Sequence, residues 1–147
     1  MYDSYNREIT YLRISVTDKC NLRCRYCIPE EGVPARRHEE FLSFEEITEV
    51  VRAAVKLGVT KVRLTGGEPL VKRGIVDLVL MIRSIEGLEH LAMTTNGTLL
   101  TLYSGRLKAA ISSTTAIAST AVTFRLLIRG MTFFCSLKMS RSGRRRS

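Results

Sequence analysis

Apolar and polar side chains alternate from Ile9 to Val16 (I-T-Y-L-R-I-S-V), the period of a half-buried strand, and the alternation stops at the polar run Thr17, Asp18, Lys19. A helical period follows later. Ile47, Val50, Val51, Ala54 and Val55 recur at the spacing of one helix face. Ser43 with Glu46 forms a capping box ahead of them and Gly58 is placed to stop them, so the pattern predicts a helix over 44–57. The stretch 60–65 (T-K-V-R-L-T) reads as a second strand ending at Gly66 and Gly67. A second helix is expected over 74–85, with Ile75, Leu78, Val79 and Ile82 on one face. A third strand is expected over 88–95, closed by Asn96 and Gly97.

Strand, helix, strand, helix, strand implies parallel strands joined by right-handed crossovers, with functional loops at the carboxyl ends of the strands. The class is α/β. After about residue 110 the period fades. From Ile111 the chain is rich in Ser and Thr and finishes S-R-S-G-R-R-R-S, the composition of a solvated, disordered end. Two parts are therefore expected, an ordered core at 1–110 and a basic Ser/Thr/Arg-rich tail at 111–147.

Charge follows the same division. The formal net charge is +9 on 147 residues, yet all 14 acidic side chains lie at or before Glu89 and residues 1–100 are balanced. The excess belongs to the segment from Arg106 to Arg146, so the basic pI is a weak sign of a nucleic-acid partner for the core. Asp3, Arg7 and Glu8 interrupt any amino-terminal apolar run, and no stretch approaches 18 apolar residues. These features predict a cytoplasmic protein without a membrane span.

Cysteine spacing carries the chemistry. Cys20, Cys24 and Cys27 place three thiols on one short loop after the first strand, a pattern of metal or redox chemistry rather than of a secreted disulfide framework. Three thiolates on a four-iron cubane leave one iron open to chelate a small molecule. The alternative is a structural zinc held by the same cysteines and His38, which with the Arg-rich tail would make a zinc-stapled, basic nucleic-acid-binding protein. The strand leading into the loop and the glycines after the next strand favour the cluster. Cys135 stands apart as an ordinary thiol.

The segments Y-L-R-I-S-V-T-D-K-C-N-L-R-C-R-Y-C, K-V-R-L-T-G-G-E-P-L and T-T-N-G resemble the radical S-adenosylmethionine (radical SAM) superfamily. More narrowly they resemble its GTP 3′,8-cyclase family of molybdenum cofactor biosynthesis. The resemblance covers about residues 7–110. It implies the amino-terminal part of a partial (βα)6 TIM-like barrel, about three βα units. It further implies a [4Fe-4S] cluster on Cys20, Cys24 and Cys27, and S-adenosylmethionine contacted by Tyr26 and Gly67. Arg13, Arg63 and Thr94 would contact GTP, which the family converts to 3′,8-cyclo-7,8-dihydro-GTP. An electron donor for the cluster and a homodimer are expected with it. Since Arg13, Arg63 and Thr94 alone point to GTP, a radical SAM enzyme with another substrate is the second reading. The family's fourth strand and second cysteine triplet are not apparent, so the chain reads as truncated after about residue 110, with an out-of-frame ending and no turnover of its own.

Overall fold

The computed structural model describes residues 2–24, 27, 41–112, 121–128 and 131–137, with side chains described up to residue 110. Five strands form one sheet in sequence order. They are β1 (Tyr11–Ser15), β2 (Lys61–Thr65), β3 (His90–Thr95), β4 (Ala121–Ile128) and β5 (Met131–Leu137). The first four are mutually parallel and β5 returns antiparallel to β4. Helices α1 (Phe44–Lys56), α2 (Ile75–Arg83) and α3 (Leu100–Ser112) fill the crossovers. Parallel neighbours in sequential order require every connection to pass over the same face, because βα crossovers share one hand.

Burial follows from that geometry. Val62, Leu64, Leu91 and Met93 point to the helices and form one core with Ile47 and Val51 of α1, Ile75, Leu78, Val79 and Ile82 of α2, and Leu107 and Ala110 of α3. The alternate positions Tyr11, Arg13, Ser15, Lys61, Arg63, Thr65, Ala92 and Thr94 share the opposite face, since side chains alternate along a strand. That face is largely polar, and no described helix covers it.

Local sequence signals place the elements. Ser43 caps α1: its hydroxyl accepts the Glu46 N–H at 3.1 Å while the Glu46 carboxylate accepts the Ser43 N–H at 2.7 Å. The helix ends at Leu57, and Gly58 takes a left-handed φ of 100° with its N–H on the Val55 carbonyl, the conformation in which glycine costs least. Leu100, Tyr103, Leu107 and Ala110 give α3 its core-facing stripe.

Two features add to the expected elements. A short 3₁₀ turn, Pro69–Val71, precedes α2, since proline suits a first helical position and cannot continue a strand. Within the tail, residues 121–128 and 131–137 are placed as strands. Their sequences A-V-T-F-R-L-L-I and M-T-F-F-C-S-L are rich in β-branched and aromatic residues, and the open edge of β3 offers a ladder to pair with. A fourth parallel strand is thus present beside β3, where the sequence pattern alone indicated none.

Candidate active site

The cysteine loop starts where β1 ends and is clamped against the end of β2. The Val16 N–H bonds the Thr65 carbonyl at 2.9 Å and prolongs the β1–β2 ladder by one rung. Beyond it the direction of donation reverses: the Gly67 N–H bonds the Thr17 carbonyl at 2.8 Å and the Glu68 N–H bonds the Lys19 carbonyl at 2.9 Å. The Thr17 hydroxyl accepts the Lys19 N–H and tightens the turn.

These contacts explain the paired glycines. A Cβ on Gly66 would stand 2.3 Å from the Thr17 carbonyl oxygen, and one on Gly67 would stand 2.4 Å from that of Lys19. Gly66 also has φ +143°, a conformation L side chains avoid. The space left by the missing side chains is filled by the backbone that carries Cys20.

Cys20 and Cys24 are half-buried, Cys27 is exposed, and all three are free thiols. The Cys20 sulfur accepts the Leu22 N–H at 3.4 Å, Arg23 reaches the Cys20 carbonyl at 3.1 Å, and the Cys27 N–H bonds the Cys24 carbonyl at 2.9 Å. Among the described residues no three Cys, His, Asp or Glu side chains are gathered as a set for a single metal ion. Tyr26 and His38 lie outside the described residues.

The sequence missed the support behind this loop. Glu68 is fully buried, and its carboxylate accepts the Leu70 N–H at 3.0 Å, the Thr95 hydroxyl at 2.7 Å and the Asn96 N–H at 2.6 Å. Three donors satisfy a buried carboxylate that would otherwise be costly. The acid thereby ties the end of β2 to the end of β3. Asn96, which with Thr95 reads in the sequence as a turn residue, also reaches the cysteine loop: its Nδ2 donates to Asn21 Oδ1 at 2.9 Å and lies 3.9 Å from the Cys20 sulfur. The available signal was an acid directly after paired glycines and an asparagine directly after a strand.

Arg13 and Arg63 are register partners on adjacent strands, so their side chains rise from the polar face side by side. Arg13 Nη2 lies 3.4 Å from the Thr65 hydroxyl, and the Arg63 guanidinium stands over the Tyr11 ring at 5.7 Å. Arg63 Nε is buried without a hydrogen-bond partner among the described residues. Neither arginine forms an ion pair among the described residues; Arg13 leans toward Thr65 at the carboxyl end of the strands and Arg63 toward Tyr11 at the other, and each guanidinium offers donors suited to phosphate or purine oxygens. Thr94, half-buried, lies on the same face two residues beyond Ala92, the β3 partner of Arg63. The structure therefore brings Arg13, Arg63 and Thr94 onto one surface, with Cys20 and Gly67 on the rim above it.

Residues 14–116 match the family model of the Radical SAM superfamily. Curated relatives include the GTP 3',8-cyclases of Peptoclostridium acidaminophilum, 56% identical over 110 residues, of Pelotomaculum thermopropionicum, 58% identical over 110, and of Geobacter sulfurreducens, 52% identical over 110. Each match covers 75% of this chain and 34% of the relative. The chain thus spans about a third of the length of the curated relatives it matches.

Proposed function

The chain belongs to the radical SAM superfamily, and from that premise we propose that it supplies the cluster loop and part of the substrate face of a GTP 3′,8-cyclase of molybdenum cofactor biosynthesis. The substrate is GTP and the product 3′,8-cyclo-7,8-dihydro-GTP. The observation that carries the reading is the division of labour between two adjoining strands. One end of the β1–β2 pair presents the thiols and glycines, and one face presents paired arginines.

Cys20, Cys24 and Cys27 would hold the [4Fe-4S] cluster. Their chemistry fits: three free, soft sulfur donors sit on one loop, and the Cys20 sulfur already accepts a main-chain N–H, a contact that favours a negatively charged sulfur. When bound, the cluster supplies the electron that cleaves S-adenosylmethionine. Gly67 is the proposed contact for that cofactor's amino group. Its N–H is taken by Thr17, so the contact comes from its carbonyl, the acceptor an ammonium needs. Tyr26 is assigned the adenine end through its main chain.

Arg13 and Arg63 are assigned to the acceptor groups of GTP, and Thr94 to a hydroxyl contact beside them. A guanidinium nitrogen buried without a partner, as Arg63 Nε is among the described residues, carries a desolvation cost that a bound acceptor offsets. Free thiols also suit a reducing, cytoplasmic compartment, where an electron donor must reach the cluster. No described helix is long and apolar enough to cross a membrane. A homodimer belongs to the same proposal.

The test is anaerobic reconstitution with iron and sulfide, followed by EPR of the reduced protein with and without S-adenosylmethionine, then with GTP. The expected result is a [4Fe-4S] signal that shifts with S-adenosylmethionine, with GTP binding lost at least tenfold in Arg63→Ala. A response to S-adenosylmethionine without GTP binding would replace the substrate. Retained zinc with no cluster would overturn the reading.

A further inference from the structure

Where β3 ends, a ring of hydrogen bonds joins Asn96, Thr98 and Asn21 directly beneath Cys20. The main chain of Asn96 is fixed from below by Glu68, whose buried carboxylate accepts its N–H at 2.6 Å. The side-chain oxygen is fixed by Thr98, which donates both its N–H at 3.0 Å and its hydroxyl at 2.8 Å. Asn21 Nδ2 in turn donates to the Thr98 hydroxyl oxygen at 2.7 Å. With the oxygen end committed, the amide nitrogen can only face the cysteine loop. There one N–H is given to Asn21 Oδ1 at 2.9 Å, and the nitrogen stands 3.9 Å from the Cys20 sulfur. A turn needs the Oδ1 contacts alone, so the nitrogen's placement is the unexplained part.

We propose that Asn96 is a positioning residue for Cys20 and that its amide N–H raises the reduction potential of the cluster held there. The proposal rests on the radical SAM reading through the cluster only and is independent of the choice of GTP. Its physical basis is that N–H groups aimed at cluster-ligating sulfurs stabilise the more negatively charged, reduced state, and that residues behind the ligands set their orientation. Glu68 acts one step further back, by holding the main chain from which Asn96 reaches.

The full chain, reconstituted anaerobically, is compared with Asn96→Ala and Asn96→Asp by EPR-monitored redox titration, with far-UV circular dichroism and iron content as controls. Asn96→Ala is expected to lower the equilibrium constant for one-electron reduction roughly tenfold, about 59 mV toward more negative potential. Asn96→Asp keeps the oxygen that Thr98 needs, replaces the donor with a negative charge, and should shift the potential further in the same direction. A merely structural asparagine would change cluster loading without moving the potential, so a loaded Asn96→Ala protein whose constant stays within roughly twofold of wild type overturns the proposal. Should Asn96→Ala lose its fold, the isosteric aspartate variant carries the same test. Shifted potentials without any GTP response would remove the substrate reading and leave this one standing. A wild-type chain that takes up no cluster would overturn both.

Discussion

A side chain as small as a methyl group separates the seated cysteine loop from a displaced one. At Gly67 the Cβ of alanine would meet two main-chain oxygens, Lys19 at 2.4 Å and Asp18 at 2.7 Å, and neither can rotate away as a side chain could. Gly67→Ala should therefore destabilise the chain by about 1–3 kcal/mol, read by urea denaturation, and should reduce the iron bound per chain. Unchanged stability with unchanged iron content would mean that the β1 and β2 ends are not in contact in solution. Asp3 offers a test of a different kind. Its carboxyl is held below the ordinary 3.8, first by the Arg7 main-chain N–H and then by the Arg7 side chain. A depressed carboxylate stabilises its turn above its unfolded pKa and loses that contribution as pH falls through the lower folded value. Arg7→Ala keeps the main-chain donor, so an NMR titration of Asp3 should show the midpoint rising toward 3.8 without reaching it. Recovery of the full value would assign the effect to the guanidinium alone.

Among the elements, α1 is where sequence and structure agree most closely, because its signals are local. The Ser43–Glu46 box and Gly58 act within a turn of the helix ends they define. Ser43→Ala should lower stability by about 1 kcal/mol with no change in cluster content, measured by thermal or urea unfolding alongside iron analysis. A loss of cluster in that variant would show that α1 does more than cover the sheet. The strands were legible from alternation and the cysteine motif from its spacing, whereas Arg13, Arg63 and Thr94 were singled out through the family resemblance alone. What the sequence could not show was distance between segments. Glu68 follows two glycines and looks like part of a turn, yet its three partners include residues 27 and 28 positions away. Asn96 meets Cys20 across 76 positions, and no local period encodes such a pairing. The strands at 121–128 and 131–137 escaped for a related reason: their hydroxyl-rich surroundings hide them until an open edge of β3 supplies the partner.

Over β1–β3 the sheet has the described helices on one face and a largely polar surface on the other, and its strands differ in how many neighbours they have. β2 and β3 are each paired on both sides, whereas among the described residues β1 is paired only with β2. Amides of β2 and β3 should accordingly exchange with solvent slowest and those of β1 faster, since an edge strand can detach while the rest stays folded. Hydrogen exchange followed by mass spectrometry checks this, and equal protection across the three would require a further cover over the β1 edge. The placement of the paired arginines bears on how such a protein diversifies. On the proposed reading the substrate-facing positions would run along the strands while the thiol loop caps their ends, so changing residues 13, 63 and 94 would leave the cap's glycine seat and its acid brace intact. If the proposed cluster is held there, new chemistry could be addressed to it by rewriting a few alternate letters of a strand, with the costly machinery inherited unaltered.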